Sequence, residues 1–89
     1  MTEWDLMTEI AKASNKGDQQ KLSDIIINND LNSNPRASMM AISGIEVTLK
    51  NISKYIDASK KLISLPAPQS FREALRQDVI KQIIDDNNL

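Results

Sequence analysis

Five apolar residues, Ile42, Ile45, Leu49, Ile52 and Ile56, stand 3, 4, 3 and 4 positions apart. That spacing sets them on one side of an α-helix, at the a and d positions of two heptads, which is how one helix lies along another. Continued, the seam reaches Ser59 and Ile63. A strand would show alternation with period two, and no stretch of the chain does so between turn signals. The pattern therefore predicts an all-α protein whose spine is one long helix over residues 35–63. Asn34-Pro35 supplies its start, a capping side chain followed by proline at the first helical position. Leu65-Pro66-Ala67-Pro68 ends it, because proline lacks a donor and disfavours helix before it. Gly44 weakens this helix by about 1 kcal/mol relative to alanine and marks a place where a neighbour could approach closely.

Three more helices follow from start and stop signals. Trp4, Leu6, Met7, Ile10, Ala11 and Ala13 recur at helical spacing over about residues 3–14, with Thr2 as the cap and Asn15-Lys16-Gly17 as the stop. Asp18 caps a second helix, about 18–28, with Leu22, Ile25 and Ile26 on one face. It dissolves in Asn28-Asn29-Asp30-Leu31-Asn32-Ser33-Asn34, residues that favour turns by bonding their own backbone. Ser70-Phe71-Arg72-Glu73 reads as a capping box. It opens a last helix, about 70–85, expected to bury Phe71, Leu75, Val79, Ile80, Ile83 and Ile84. Asp85 and Asp86 oppose the dipole at its end, so a frayed tail over 86–89 is expected. The chain as a whole reads as a single domain, 1–89, a compact array of four helices with one long central helix.

With 89 residues, such a domain buries only about 60% of what its unfolded chain exposes. Its aromatics are Trp4, Tyr55 and Phe71 alone, so the core must be aliphatic. A thin core beside a long seam points to a homodimer or a partner-bound state. There is no Cys and no His, which removes thiolate chemistry, the usual zinc sites and imidazole acid–base catalysis. Phosphate loops need several glycines, and the chain has two, well separated. Ser53-Lys54 and Ser59-Lys60-Lys61 read as helix surface, since no Ser-x-x-Lys accompanies a pocket signal. Asn28, Asp30, Asn32 and Asn34 match calcium-loop positions 1, 3, 5 and 7, but position 6 is Ser33 where glycine is needed and position 12 is Met39 where glutamate is needed. The expectation is a protein without cofactor, metal or small-molecule substrate, and not an enzyme.

The formal net charge of −1 hides an asymmetry: residues 1–46 carry four basic and seven acidic residues, whereas residues 47–84 carry seven basic and three acidic. That basic half could meet a polyanion or simply be a solvated face. The acidic opening, Glu3 and Asp5, does not resemble a signal peptide, and no apolar run approaches the roughly 20 residues of a membrane helix. A cytoplasmic location is expected, with no membrane partner.

Residues 47–64, with Val47-Thr48-Leu49, Ile52, Ser53, Ile56, Ala58, Ser59 and Ile63, resemble the helix-turn-helix of lactose-repressor-type regulators. The resemblance covers about a fifth of the chain and implies a recognition helix opening at Lys60, Lys61 and Ser64 in a major groove. Lys50, Lys54, Lys60 and Lys61 would then meet phosphates. The turn position that favours glycine is Asp57, and an unbroken helix explains the same apolar spacing. Asn32-Ser33-Asn34-Pro35, with Trp4 near the start, is similar to the polar hairpin turn of type III secretion needle subunits, although here a further capped helix follows.

Taken together, the sequence predicts a small non-enzymatic regulatory or adaptor protein that acts by helix-mediated contact with a protein partner. Its expected interface is Ile42, Ile45, Leu49, Ile52 and Ile56, with Trp4. Trp4 also has a second reading, as a lid on the small core, and Met39-Met40 is the kind of pair that suits an adaptable surface. A DNA-binding regulator using 47–64 is the alternative. The abundance of Ile, Asn and Lys suits an AT-rich gene, such as one on a phage or other mobile element.

Overall fold

The computed structural model describes residues 2–66 and 71–89, and among these residues the protein is all-α, with no strand. Among the described residues five helices follow one another: α1 (Glu3–Lys16), α2 (Gln19–Asn28), α3 (Pro35–Gly44), α4 (Ile56–Ile63) and α5 (Phe71–Asp86).

The first three helices begin at the expected signals, and the first two also end at theirs. Thr2 and Asp5 form a reciprocal capping box at the start of α1, and Gly17 closes its end in the left-handed region at φ 69°. Asp18 accepts from the Lys21 amide to start α2. Asn34 accepts from the Ala37 amide to start α3, with Pro35 in its first turn. The turn between α2 and α3 is held by its own polar side chains. Asp30 Oδ1 accepts from the Asn32 amide at 2.9 Å, and the Ser38 hydroxyl donates to the Leu31 and Asn34 carbonyls.

α1 and α3 run side by side in the same direction. The Asn34 side chain at the start of α3 donates to the Glu3 carbonyl, and Gly44 at the far end of α3 lies against Ser14 of α1. α5 packs on α3 and α4, while α2 packs on α1, α3 and α4. Leu6, Ile10, Leu22, Ile26, Leu31, Ile42, Ile45, Ile52, Leu62, Ile80 and Ile84 meet in one aliphatic core, with Ala13, Ala37, Ala41 and Ala58 at the close contacts.

The long central helix is not formed. α3 stops at Gly44, residues 45–48 are irregular, 49–55 run through successive turns, and a separate α4 begins at Ile56. Three causes act together. Gly44 and the β-branched Ile45, Val47 and Thr48 are poor helix formers. Local side chains then offer the backbone other partners: Asn51 Oδ1 accepts from the Thr48 amide at 2.7 Å, and Asn51 Nδ2 donates to the Glu46 carbonyl at 2.8 Å. Finally, the open end of α3 is capped from outside. Gln19 Nε2 donates to the Gly44 carbonyl while its Oε1 accepts from the Glu46 amide, and Arg76 donates to the Ile42 and Ile45 carbonyls. Ile42 still reaches the core from α3, and Ile45 and Ile52 reach it from the non-helical segment that follows. Leu49 does not and is 69% exposed.

The last helix also differs from expectation. Ile80 and Ile84 are buried and Ile83 is half-buried, but Phe71, Leu75 and Val79 face solvent. The polar residues of α5 set this rotation. Glu73, Arg76 and Gln77 point inward, where Glu73 Oε1 accepts from the Ser43 hydroxyl at 2.7 Å and Gln77 Nε2 donates to the Leu62 carbonyl at 2.8 Å. Ser70, the first residue of the expected capping box, lies outside the described residues. At the other end, where opposed charges predict fraying, Asn88 adopts a left-handed φ of 56° and the Leu89 amide donates to the Ile84 carbonyl.

Candidate protein-interaction surface

Phe71, Leu75 and Val79 recur every four residues, so they form a ridge in which each side chain is turned about 40° from the last. Ile80 lies about 140° round the helix from Leu75 and is buried. α5 is therefore apolar on two opposite sides. One is fixed to α3 and α4, and the other leaves Phe71 79%, Leu75 49% and Val79 58% exposed. Single exposed apolar residues are ordinary, whereas an aligned row on one helix is the kind of feature from which contact surfaces are built.

The residues that aim this face are the inward polar ones. Arg76 is positioned by the carbonyls that α3 leaves free at its end, where a cation also complements the helix dipole. Gln77 does the same for α4. Sequence periodicity could not find the exposed row, because α5 carries apolar residues nearly all round. The signal that identifies its inner side is Arg76, whose guanidinium finds the unsatisfied end of a neighbouring helix.

The interface residues expected from the seam do not assemble on one surface. Ile42, Ile45 and Ile52 fill the core, Ile56 is half-buried, and Leu49 stands on the 49–55 turns. Trp4 is not a core lid: it is 70% exposed at the start of α1, and its carbonyl accepts from the Thr8 hydroxyl. Met39 and Met40 are half-buried on α3.

The basic residues separate in the same way. Lys50, Lys54 and Lys60 are exposed, and Lys54 Nζ stands 5.4 Å from the centre of the Tyr55 ring. Lys61 instead crosses to α2, where its ammonium donates to the Ile27 and Asn29 carbonyls at the helix end. It caps α2 and does not face outward. Residues 47–55 make no helix, so the two-helix unit expected over 47–64 lacks its first member.

Among the described residues, no group of three or more carboxylates could hold a metal, and no helix is long and apolar enough to cross a membrane. The groove between α1 and α3, bordered by Ile10, Ala11, Ser14, Met40 and Ser43, has a volume of about 240 Å³, below the ~300–1,000 Å³ of ordinary ligand pockets. The larger hollow beside α2, about 430 Å³, runs over exposed Gln20, Lys21, Asp24 and Asn28. On α1, Glu9 lies 3.9 Å from both Lys12 and Lys21, and at that distance and exposure such pairs contribute little. Asp5 has its carboxyl held below the ordinary aspartate range by the hydrogen bonds from Thr2 that form the α1 cap.

No protein-family model, curated protein or solved structure matches this chain.

Proposed function

We propose that this chain is a small non-enzymatic regulatory or adaptor protein of the cytoplasm, and that it works by protein–protein contact through the outer face of α5. The observation that carries this reading is the exposed row of Phe71, Leu75 and Val79 on a helix whose opposite side is already buried. Covering those side chains would contribute about 1–2 kcal/mol each, set against the cost of association. Leu49 and Trp4 stay available for further contacts. The DNA-binding alternative draws no such support. Its first helix is replaced by turns, and Lys61 is engaged at the end of α2.

Selection from a displayed random-peptide library on the immobilised full chain tests the reading. Enriched peptides should bind the wild type and lose binding to Leu75→Ser and to Val79→Ser, while Lys60→Glu leaves it unchanged. Since both row residues are exposed, circular dichroism and the melting temperature of the variants should match the wild type. Peptides that bind all of these variants equally would place recognition elsewhere and overturn the assignment to α5.

A further inference from the structure

We infer that the partner of the α5 face is a second copy of this chain, packed antiparallel along α5 about a two-fold axis near Val79. This rests on the reading of that face as a protein contact and adds the identity of what covers it.

The charges on α5 carry the argument. Arg72 and Arg76 sit near its N-terminus, and Asp85 and Asp86 at its C-terminus, the reverse of what the helix dipole favours. Arg76 is accounted for by the end of α3. Arg72, Asp78, Lys81 and Asp86 are exposed, and none of the four forms an ion pair among the described residues. At about 100° per residue, Asp86 falls within the arc of the apolar row, Arg72 about 20° beyond its Val79 edge, Asp78 about 20° beyond its Phe71 edge, and Lys81 about 60° further round.

A two-fold perpendicular to the helices brings each flank of α5 against the same flank of the second copy. With the axis at Val79, residue 72 comes level with residue 86 of the second copy, and 78 lies within one position of 81. Arg72 thus meets Asp86, and the contact is made twice; Lys81, about 120° round the helix from Leu75, is turned away from the second copy. In the same register Val79 packs on itself and Leu75 on Ile83, which is already half-buried. Phe71 then covers the C-terminal turn near Leu89, which is itself partly exposed. The acids that oppose the dipole at the end of α5 gain an arginine there. A parallel pair would leave Arg72 beside Arg72 and Asp86 beside Asp86.

The apolar row is small, on the order of a few hundred Å² per copy, below the roughly 800 Å² per partner of a standard interface. The dimer should therefore be reversible and weakened by salt.

Sedimentation equilibrium on the full chain over a concentration series tests this. The wild type should pass from monomer to dimer, and Val79→Glu should stay monomeric. Arg72→Asp and Asp86→Arg, each alone, should weaken association by about tenfold or more through like-charge contacts, and the double swap should recover most of the loss. Circular dichroism keeps a folding failure apart from an association failure. A wild type that is monomeric throughout overturns the second-copy inference. So does a double swap no better than either single variant, or a dimer indifferent to Val79→Glu. The display selection decides the α5 contact separately, so a monomer whose peptide binding is lost in Leu75→Ser would keep the contact and discard the self-pairing.

Discussion

Arg76 Nε donates to the Ile42 carbonyl at 2.8 Å, so the last helix of the chain caps the turn at which α3 stops. The same guanidinium reaches the Ile45 carbonyl, and no intrahelical donor serves either oxygen at that helix end. Arg76→Ala should cost about 1.5–3 kcal/mol, the range for hydrogen bonds to a charged group. Arg76→Lys should recover only part of it, because an ammonium cannot serve two carbonyls with a planar fork. Urea denaturation reads both values. A change below about 0.5 kcal/mol, the size expected of an ordinary surface substitution, would mean that the contact contributes nothing to the fold.

Gly44 is tied to α1 by sterics, not by backbone conformation. A Cβ on Gly44 would stand 2.7 Å from Ser14 Oγ and 3.1 Å from Ser14 Cβ. Alanine ordinarily favours a helix by up to about 1 kcal/mol over glycine, but at the last helical residue little of that gain applies, and the clash should decide the sign. Gly44→Ala is expected to lower stability by about 1–3 kcal/mol. Ser14→Gly in the same chain should recover most of the loss, since it removes both atoms in the way. A double-mutant cycle in urea measures the coupling, and additive effects would show that the two residues do not meet.

At the start of α1 the relevant variable is pH. Hydrogen bonds from Thr2 lower the Asp5 carboxyl below the ordinary value of 3.8. A lowered folded value means that the ionised cap stabilises the folded state above that ordinary value, and that the contribution is lost as pH falls through the folded one. Acid should therefore loosen the first turn of α1. Asp5→Asn should flatten the acid limb of the stability curve below about pH 4 and leave its slope at neutral pH unchanged. Chemical denaturation at a series of pH values provides the comparison, with an unaltered acid limb as the adverse result.

The sequence makes the helix starts legible because Thr2, Asp18 and Asn34 act within three residues of themselves. Breaks caused by partners far along the chain are not legible in this way. The Ile42–Ile56 spacing is compatible with one helix, and what interrupts it lies elsewhere: Ser14 against Gly44, Gln19 between Gly44 and Glu46, and Arg76 on Ile42 and Ile45. Asn51, which holds the turn, is local and could have signalled it, since Asn competes with helix through its own backbone bonds. For α5 the difficulty is of another kind. Phe71, Leu75 and Val79 are as apolar as Ile80 and Ile84, and the inward polar contacts of Glu73, Arg76 and Gln77 decide which row faces solvent.

Ser59 is fully buried on α4, and its hydroxyl has no hydrogen-bond partner among the described residues. A buried hydroxyl without a partner costs free energy that a methyl group does not. Ser59→Ala is nearly volume-conserving and should raise stability by about 1 kcal/mol. The denaturation midpoint should rise with its slope unchanged. A loss of stability would show that the hydroxyl is satisfied in solution.

Lys60 and Lys61 are neighbours with opposite roles, which separates fold from surface electrostatics. Lys61 donates to the Ile27 and Asn29 carbonyls at the end of α2, where the helix dipole is negative. Lys61→Glu removes both bonds and brings a negative charge to the negative end of the helix dipole, and should cost about 2 kcal/mol. Lys60 is exposed, so Lys60→Glu should shift stability by less than about 0.5 kcal/mol. Any loss of duplex binding in Lys61→Glu would then reflect a weakened α2–α4 contact, whereas Lys50→Glu, Lys54→Glu and Lys60→Glu report on phosphates alone. A low-salt mobility-shift assay with these three variants isolates the electrostatic question. Salt-sensitive duplex binding by the wild type that all three abolish, at unchanged stability, would favour the nucleic-acid reading over the α5 contact.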